Sequence, residues 1–184
     1  SLFTNVPGHS ICYWAPKELV SLHSTKKKIG QGDNVCTVAT GMQTGNNERF
    51  VRKFWEVGSS DNDFRPIAKG GADAWVSPST SSSVLWNGGN EISRIDSSVL
   101  RNEQHYGREG LTWTYVKRTG RRFGYFPSGG LFDATGSMLF PEDDISPWLL
   151  MAVLNSNLYH GLFLTQTVER HWQIAEVGRM PWHT

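Results

Sequence analysis

"GMQTGNNERFVRKFWEV", residues 41 to 57, begins as a polar turn and ends as a strand bearing basic and aromatic side chains. Gly41 and Gly45 mark a turn or bulge and are expected to take backbone conformations closed to other residues. Gln43, Asn46 and Asn47 carry amides able to meet adenine through two hydrogen bonds, and Arg49 and Arg52 suit guanine or phosphate. Exposed amides between glycines also cap turns, so both readings stand at this point. The run Phe50, Val51, Arg52, Phe54, Trp55 does not keep a period of two. A bulge near Arg52 or Lys53 is therefore expected, with Arg52 turned out of the core.

Working outward, "VCTVAT" (35 to 40) is β-branched and reads as a strand leading into this stretch. "APKELVSL" (15 to 22) places Pro16 near a first helical position and Leu19 three before Leu22, which predicts a short helix. Residues 58 to 105 are dense in Gly, Ser, Thr and Asp and read as long loops. "GLTWTYV" and "RRFGYFP" read as strands across the hinge "KRTG", after which "PSGG" turns the chain into "LFDATGSMLF". "SPWLLMAVLNSN" (146 to 157) predicts a helix with Ser146 as N-cap and Pro147 at the first position, apolar nearly all round and so packed into the core. The expected fold is α+β, a single loop-rich domain over 1 to 184, mostly twisted antiparallel sheet with a few packed helices.

A chain of 184 residues can bury about 70% of its unfolded surface without help from metal or disulfide. Its two cysteines, Cys12 and Cys36, are too few for a disulfide framework and lack metal-ligand spacing, so they read as reduced core thiols. No apolar run approaches the roughly 18 residues that cross a membrane, and no charged-then-apolar leader opens the chain, which predicts a cytoplasmic protein. The opening "SLF" reads as a cut within a longer polypeptide. There is no GxSxG elbow, phosphate-loop motif or HExxH, and the six histidines are scattered, which suits ordinary polar packing. With a formal net charge of only +1, any polyanion binding must come from local clustering.

Such a cluster lies between 101 and 122, where Arg101, Arg108, Lys117, Arg118, Arg121 and Arg122 face Glu103 and Glu109, a local excess of six minus two, or +4. Tyr106, Trp113, Tyr115, Phe123 and Tyr125 are interleaved with them. The pattern suits phosphate neutralisation beside base contacts, and equally a solvated strand face over an aromatic core. Trp14, Trp55, Trp75, Trp86 and Trp113 leave a carbohydrate-binding β module as the alternative function.

The opening stretch resembles the GxQTG(D/N)NxRFxR motif found beyond the catalytic domain of BREX-type phage-defence adenine-specific DNA methyltransferases and of related type IIG restriction-modification and DISARM enzymes. Further stretches are similar to that family in the same order. "NVPGHSICYW" (5 to 14), "RPIAKGG" (65 to 71), "YGREGLTWT" (106 to 114), "LFDATGSMLF" (131 to 140), "LLMAVLNSNL" and "RMPW" run over nearly the whole chain. The resemblance implies a target recognition domain, the specificity part that grips double-stranded DNA beside the methyltransferase domain of a bacterial or archaeal parent enzyme. S-adenosylmethionine is expected for that parent, and no cofactor or metal for this part, because the chain contains neither the Asn-Pro-Pro-Tyr motif nor any "PP".

Joined to the resemblance, the candidate DNA contacts are Gln43, Thr44, Asn46, Asn47, Arg49, Arg52, Lys69, Arg108, Thr112, Lys117, Arg118, Arg121 and Arg122. Arg121 and Arg122, beside a Thr119-Gly120 turn, are expected at a hairpin tip along the phosphates; Gln43, Asn46, Arg49 and Arg108 are expected at base edges. Arg49 has a second possible role, pairing with Glu48, Glu56 or a loop carboxylate to hold the fold.

Overall fold

The computed structural model describes residues 2–30, 35–58, 61–70, 81–113, 115, 122–142, 144–167 and 172–183. These residues form strands β1 Cys36–Ala39, β2 Val51–Lys53, β3 Phe64–Ala68, β4 Ser82–Leu85, β5 Gly110–Trp113, β6 Phe123–Phe126, β7 Leu131–Phe132 and β8 Met138–Pro141. The α-helices are α1 Lys17–Ser21, α2 Asn47–Phe50, α3 Pro147–Leu154, α4 Asn157–Gln166 and α5 Ile174–Gly178. The strands make two four-stranded sheets, ordered β1-β8-β5-β6 and β2-β4-β3-β7. Every pairing is antiparallel except that of β3 with β7, which is parallel. The fold is α+β.

The first sheet is the middle layer because its side chains are apolar on both faces. Along β8, Leu139 joins Leu111, Trp113 and Phe123 against Leu150, Leu154, Leu162 and Phe163 of α3 and α4. Met138 and Phe140 point the other way and pack with Ala39, Ala68, Phe126 and Phe132. This is the period-two alternation of a strand, with both faces buried. A third cluster, Met42, Phe50, Ile67, Val84, Ile92 and Leu131, closes the second sheet against α2. Each of these side chains contributes about 1.5–3 kcal/mol on full burial.

Several expectations are corrected. Residues 49 to 57 are not one strand with a bulge: α2 comes first, β2 has three residues, and Phe54–Glu56 forms a 3-10 turn. Asn46 starts the helix, its side-chain oxygen accepting from the Arg49 amide at 3.0 Å, and Glu48 in the first turn suits the helix dipole. The loop reading of 58 to 105 misses β3 and β4. Pro66 inside β3 and the serines around β4 hid them, and residues 71–80 of that stretch lie outside the described set.

The helix expected over 146 to 157 ends at Leu154, and α4 follows after Asn155 and Ser156. Ser146 stands at the N-cap position without a side-chain capping bond, with Pro147 next as expected. This helix is not buried all round: Leu150 and Leu154 face the core, while Trp148 and Leu149 are half exposed, and Trp148 stacks on Tyr125. The glycine inside α4 is where Leu19 of the predicted α1 approaches, its methyl 3.4 Å from the place of a Cβ on Gly161. Cys12 and Cys36 are buried free thiols, as read. His23 is buried with Nε2 2.7 Å from the Thr165 hydroxyl, and burial, with Lys28 and His183 nearby, lowers its pKa to about 4.

Candidate nucleic-acid interface

The opening stretch lies where the chain passes between the sheets. β1 belongs to the first sheet, whereas Met42 bridges to Asp133 just beyond β7 of the second. The return passage, Asp133 to Ser137, carries the chain from β7 back to β8. The two crossings are bonded side by side: the Met42 amide donates to the Phe132 carbonyl at 3.0 Å, and the Ala134 amide to the Met42 carbonyl at 2.9 Å. Gly41 makes this possible, because a Cβ there would overlap the Phe132 carbonyl group. Gly45 ends the passage at φ +70°, as expected for a turn glycine. The expectation fails for Gly41, which is required by close approach and not by a left-handed backbone.

Asp133 joins three of the motifs. One carboxylate oxygen accepts from the Thr135 amide (2.7 Å), the Thr135 hydroxyl (2.6 Å) and the Gly136 amide (3.1 Å). The other accepts from Lys69 Nζ at 2.6 Å. Lys69 also donates to Asn47 Oδ1 at 3.3 Å, which takes a further bond from the Thr44 hydroxyl at 2.8 Å. A mostly buried carboxylate with both oxygens engaged is a rigid anchor. Lys69 is accordingly neutralised by Asp133, and Thr44 is buried.

Gln43, Asn46, Asn47 and Arg49 are exposed along the outer side of this crossing. Arg49 pairs with Glu91 at 2.8 Å, which matches the loop-carboxylate role, although both side chains remain substantially solvated. Arg52 is half-buried and donates to the Glu48 and Val51 carbonyls. Arg108 lies apart, exposed, with a guanidinium nitrogen 3.2 Å from His105 Nδ1 and its carbon 5.2 Å from the Phe140 ring centroid. It borders an open cleft with Glu109, Glu142 and Asp144, so a phosphate entering there would meet three carboxylates.

Two candidates belong to the core. Thr112 is buried, its hydroxyl donating to the Ser137 carbonyl at 3.1 Å. Arg122 does not project from a hairpin tip: it is only 7% exposed, with its guanidinium carbon 3.5 Å from the Trp172 ring centroid. Its backbone amide donates to Asn155, and burial lowers its pKa to about 10, so it stays cationic at neutral pH. Arg122 lies just before β6, where the Asn155 side chain accepts from both the Arg122 and Phe123 amides, and its planar cation stacks on an indole. Lys117, Arg118 and Arg121 lie outside the described residues.

Of the tryptophans read as a sugar platform, Trp113 is buried, Trp86 packs edge-on to Tyr106, and Trp14 and Trp55 are exposed; Trp75 lies outside the described residues. Among the described residues no helix is long and apolar enough to cross a membrane.

Sequence reasoning missed Asp133, Thr135 and Glu91. "DATG" carries a signal for the first two, since an Asp followed two residues later by Thr and then Gly is a side-chain-closed turn. Nothing in the sequence pairs Glu91 with Arg49.

No family model matches the chain. It is 34% identical over 166 residues to the adenine-specific methyltransferase BrxX of Escherichia coli O9:H4 (strain HS), covering 84% of this chain and 13% of that protein. It is 29% identical over 200 residues to the adenine-specific methyltransferase PglX of Lacticaseibacillus casei (strain Zhang), covering 97% of this chain and 16% of that protein. The chain thus spans 13% to 16% of the length of these relatives, and it is related to one segment of adenine-specific methyltransferases.

Proposed function

We propose that this chain is the target recognition module of an adenine-specific DNA methyltransferase, gripping double-stranded DNA and selecting the sequence while another part of a longer protein carries out methyl transfer. The observation that carries the reading is the exposed row of Gln43, Asn46, Asn47 and Arg49 along a crossing made rigid by Asp133. A recognition surface needs polar side chains on a backbone that does not yield, so that mismatched edges are not accommodated. Relation to a segment of adenine-specific methyltransferases supports DNA as the partner and methylation as the parent's reaction. The parent would act in phage defence or restriction-modification in the bacterial or archaeal cytoplasm.

The division has a physical basis. A base-modifying enzyme must extrude its target base, at a cost of a few kcal/mol, and contacts to flanking bases and phosphates offset that cost. S-adenosylmethionine would bind the methyltransferase domain, and this module makes no contact with it. With a net charge of only +1, the module shares phosphate neutralisation with that domain.

A salt titration with a duplex DNA tests the reading. Three or four phosphate contacts give a loss of affinity of roughly 40- to 150-fold between 50 and 200 mM salt through counterion release. A carbohydrate-binding module would show no such dependence, and affinity for duplex DNA that is absent at low salt, or flat across the range, would contradict the proposal.

A further inference from the structure

The three amides of the exposed row are not chemically equivalent. An adenine edge in the major groove offers N7 as acceptor and N6–H as donor, so an amide reads it only when its oxygen and its NH2 are both available. The Asn46 oxygen is held by the Arg49 backbone amide at 3.0 Å. A backbone N–H can only donate, which fixes that atom as the oxygen and commits it to starting α2. The Asn47 oxygen takes two bonds, from the Thr44 hydroxyl at 2.8 Å and from Lys69 Nζ at 3.3 Å. An ammonium has no acceptor capacity, so here too the oxygen is assigned by chemistry and its lone pairs are used. What Asn47 has left is an NH2, and acceptors for an NH2 occur in the major groove on every base pair, so it discriminates poorly.

Gln43 differs on both counts. Among the described residues neither its amide oxygen nor its NH2 has a partner, and the side chain is exposed. Its backbone is fixed: the amide donates to the Val99 carbonyl at 2.8 Å, and its carbonyl accepts from the Val99 amide at 2.9 Å. Its neighbours Met42 and Thr44 are both buried, so the alternation drives Gln43 outward and leaves it no inward rotation. With the backbone already fixed, only the side-chain rotamers of this free, complete amide remain to be ordered when it places two hydrogen bonds.

We propose that Gln43 is the specificity-determining residue of this row, reading the major-groove edge of an adenine, and that Asn46 and Asn47 are scaffold, Asn46 capping α2 and Asn47 held through Lys69 and Asp133. The inference rests on the recognition function proposed above.

The test uses the 184-residue chain at low salt in selection from duplexes with a randomised window. The wild-type chain enriches sequences with adenine at one position, favoured over other bases by roughly 5- to 100-fold, the discrimination of one bidentate contact. Gln43→Ala removes that preference while other enriched positions remain. Gln43→Glu, which can only accept, moves the preference at the same position towards cytosine, whose N4 amino group donates. A structural role for Gln43 produces no such switch, and circular dichroism of each variant checks the fold. If Gln43→Ala enriches the wild-type sequence at the wild-type ratio, the assignment to Gln43 is wrong and the recognition function survives. If the wild-type chain enriches no sequence at all, the recognition function fails and this inference fails with it.

Discussion

Gly41→Ala is expected to destabilise the fold by about 3 kcal/mol, roughly 10 °C in melting temperature for a chain of this length. A Cβ at this position would overlap the oxygen and carbon of the Phe132 carbonyl and lie 2.7 Å from the Phe132 ring. The obstacle is backbone in the middle of the double crossing, so no rotamer change relieves it. The Met42 to Phe132 and Ala134 to Met42 hydrogen bonds must both lengthen, and Met42 and Phe132 are buried in separate core clusters that would shift with them. At Gly45 the same addition meets the Ser97 hydroxyl at 2.6 Å and the Ile95 methyl at 2.8 Å, side-chain atoms that can move, together with the Ser98 amide at 2.9 Å and the cost of a positive φ. Gly45→Val is therefore expected to cost less, on the order of 1–3 kcal/mol. Thermal unfolding of both variants checks the order, and a Gly41→Ala protein that melts with the wild type would mean that the crossings are not packed as described.

Trp172→Ala carries the other large effect, about 3–5 kcal/mol. The indole is 2% exposed, stacks on Phe163 with ring centroids 4.0 Å apart, and supports the Arg122 guanidinium on its face. Removal leaves a cavity among Phe123, Phe163 and the helices and takes away the stacking partner of a buried cation. Arg122→Leu follows the same logic on a smaller scale, losing about 2 kcal/mol of desolvated cation–π attraction while keeping some packing volume. Chemical denaturation measures both. The DNA salt slope separates this account from the phosphate-contact reading of Arg122: the slope should be unchanged in Arg122→Leu, whereas a phosphate contact would lower it by about one.

Much of the fold was legible because its signals are local. The β-branched run at 35 to 40, the glycine and proline punctuation and the Ser146-Pro147 helix start all appear where read. What escaped was set by partners distant in sequence. Pro66 discourages a strand locally, yet β3 is held between β4 and β7; Gly161 weakens a helix locally, yet gives Leu19 room to approach α4. The site divides in the same way. The amides at 43, 46 and 47 were visible as a group, but which of them remained available depended on Lys69, Asp133 and the α2 amides, none of which spacing along the chain could rank. The basic run ending at Arg122 looked like an exposed stripe because charge is read from composition, whereas the direction of a side chain is set by tertiary contacts: Asn155 holds the Arg122 backbone and the guanidinium lies on Trp172.

The claim that this chain selects the sequence to be methylated is tested most directly by exchange. The segment of the Escherichia coli adenine-specific methyltransferase that this chain matches would be replaced by residues 1 to 184, and methylated adenines mapped across a genome carrying the hybrid. The account predicts methylation at adenines in a sequence context different from that of the unaltered enzyme, with the new context altered again by Gln43→Glu. Methylation that continues in the unaltered enzyme's own sequence context would contradict it.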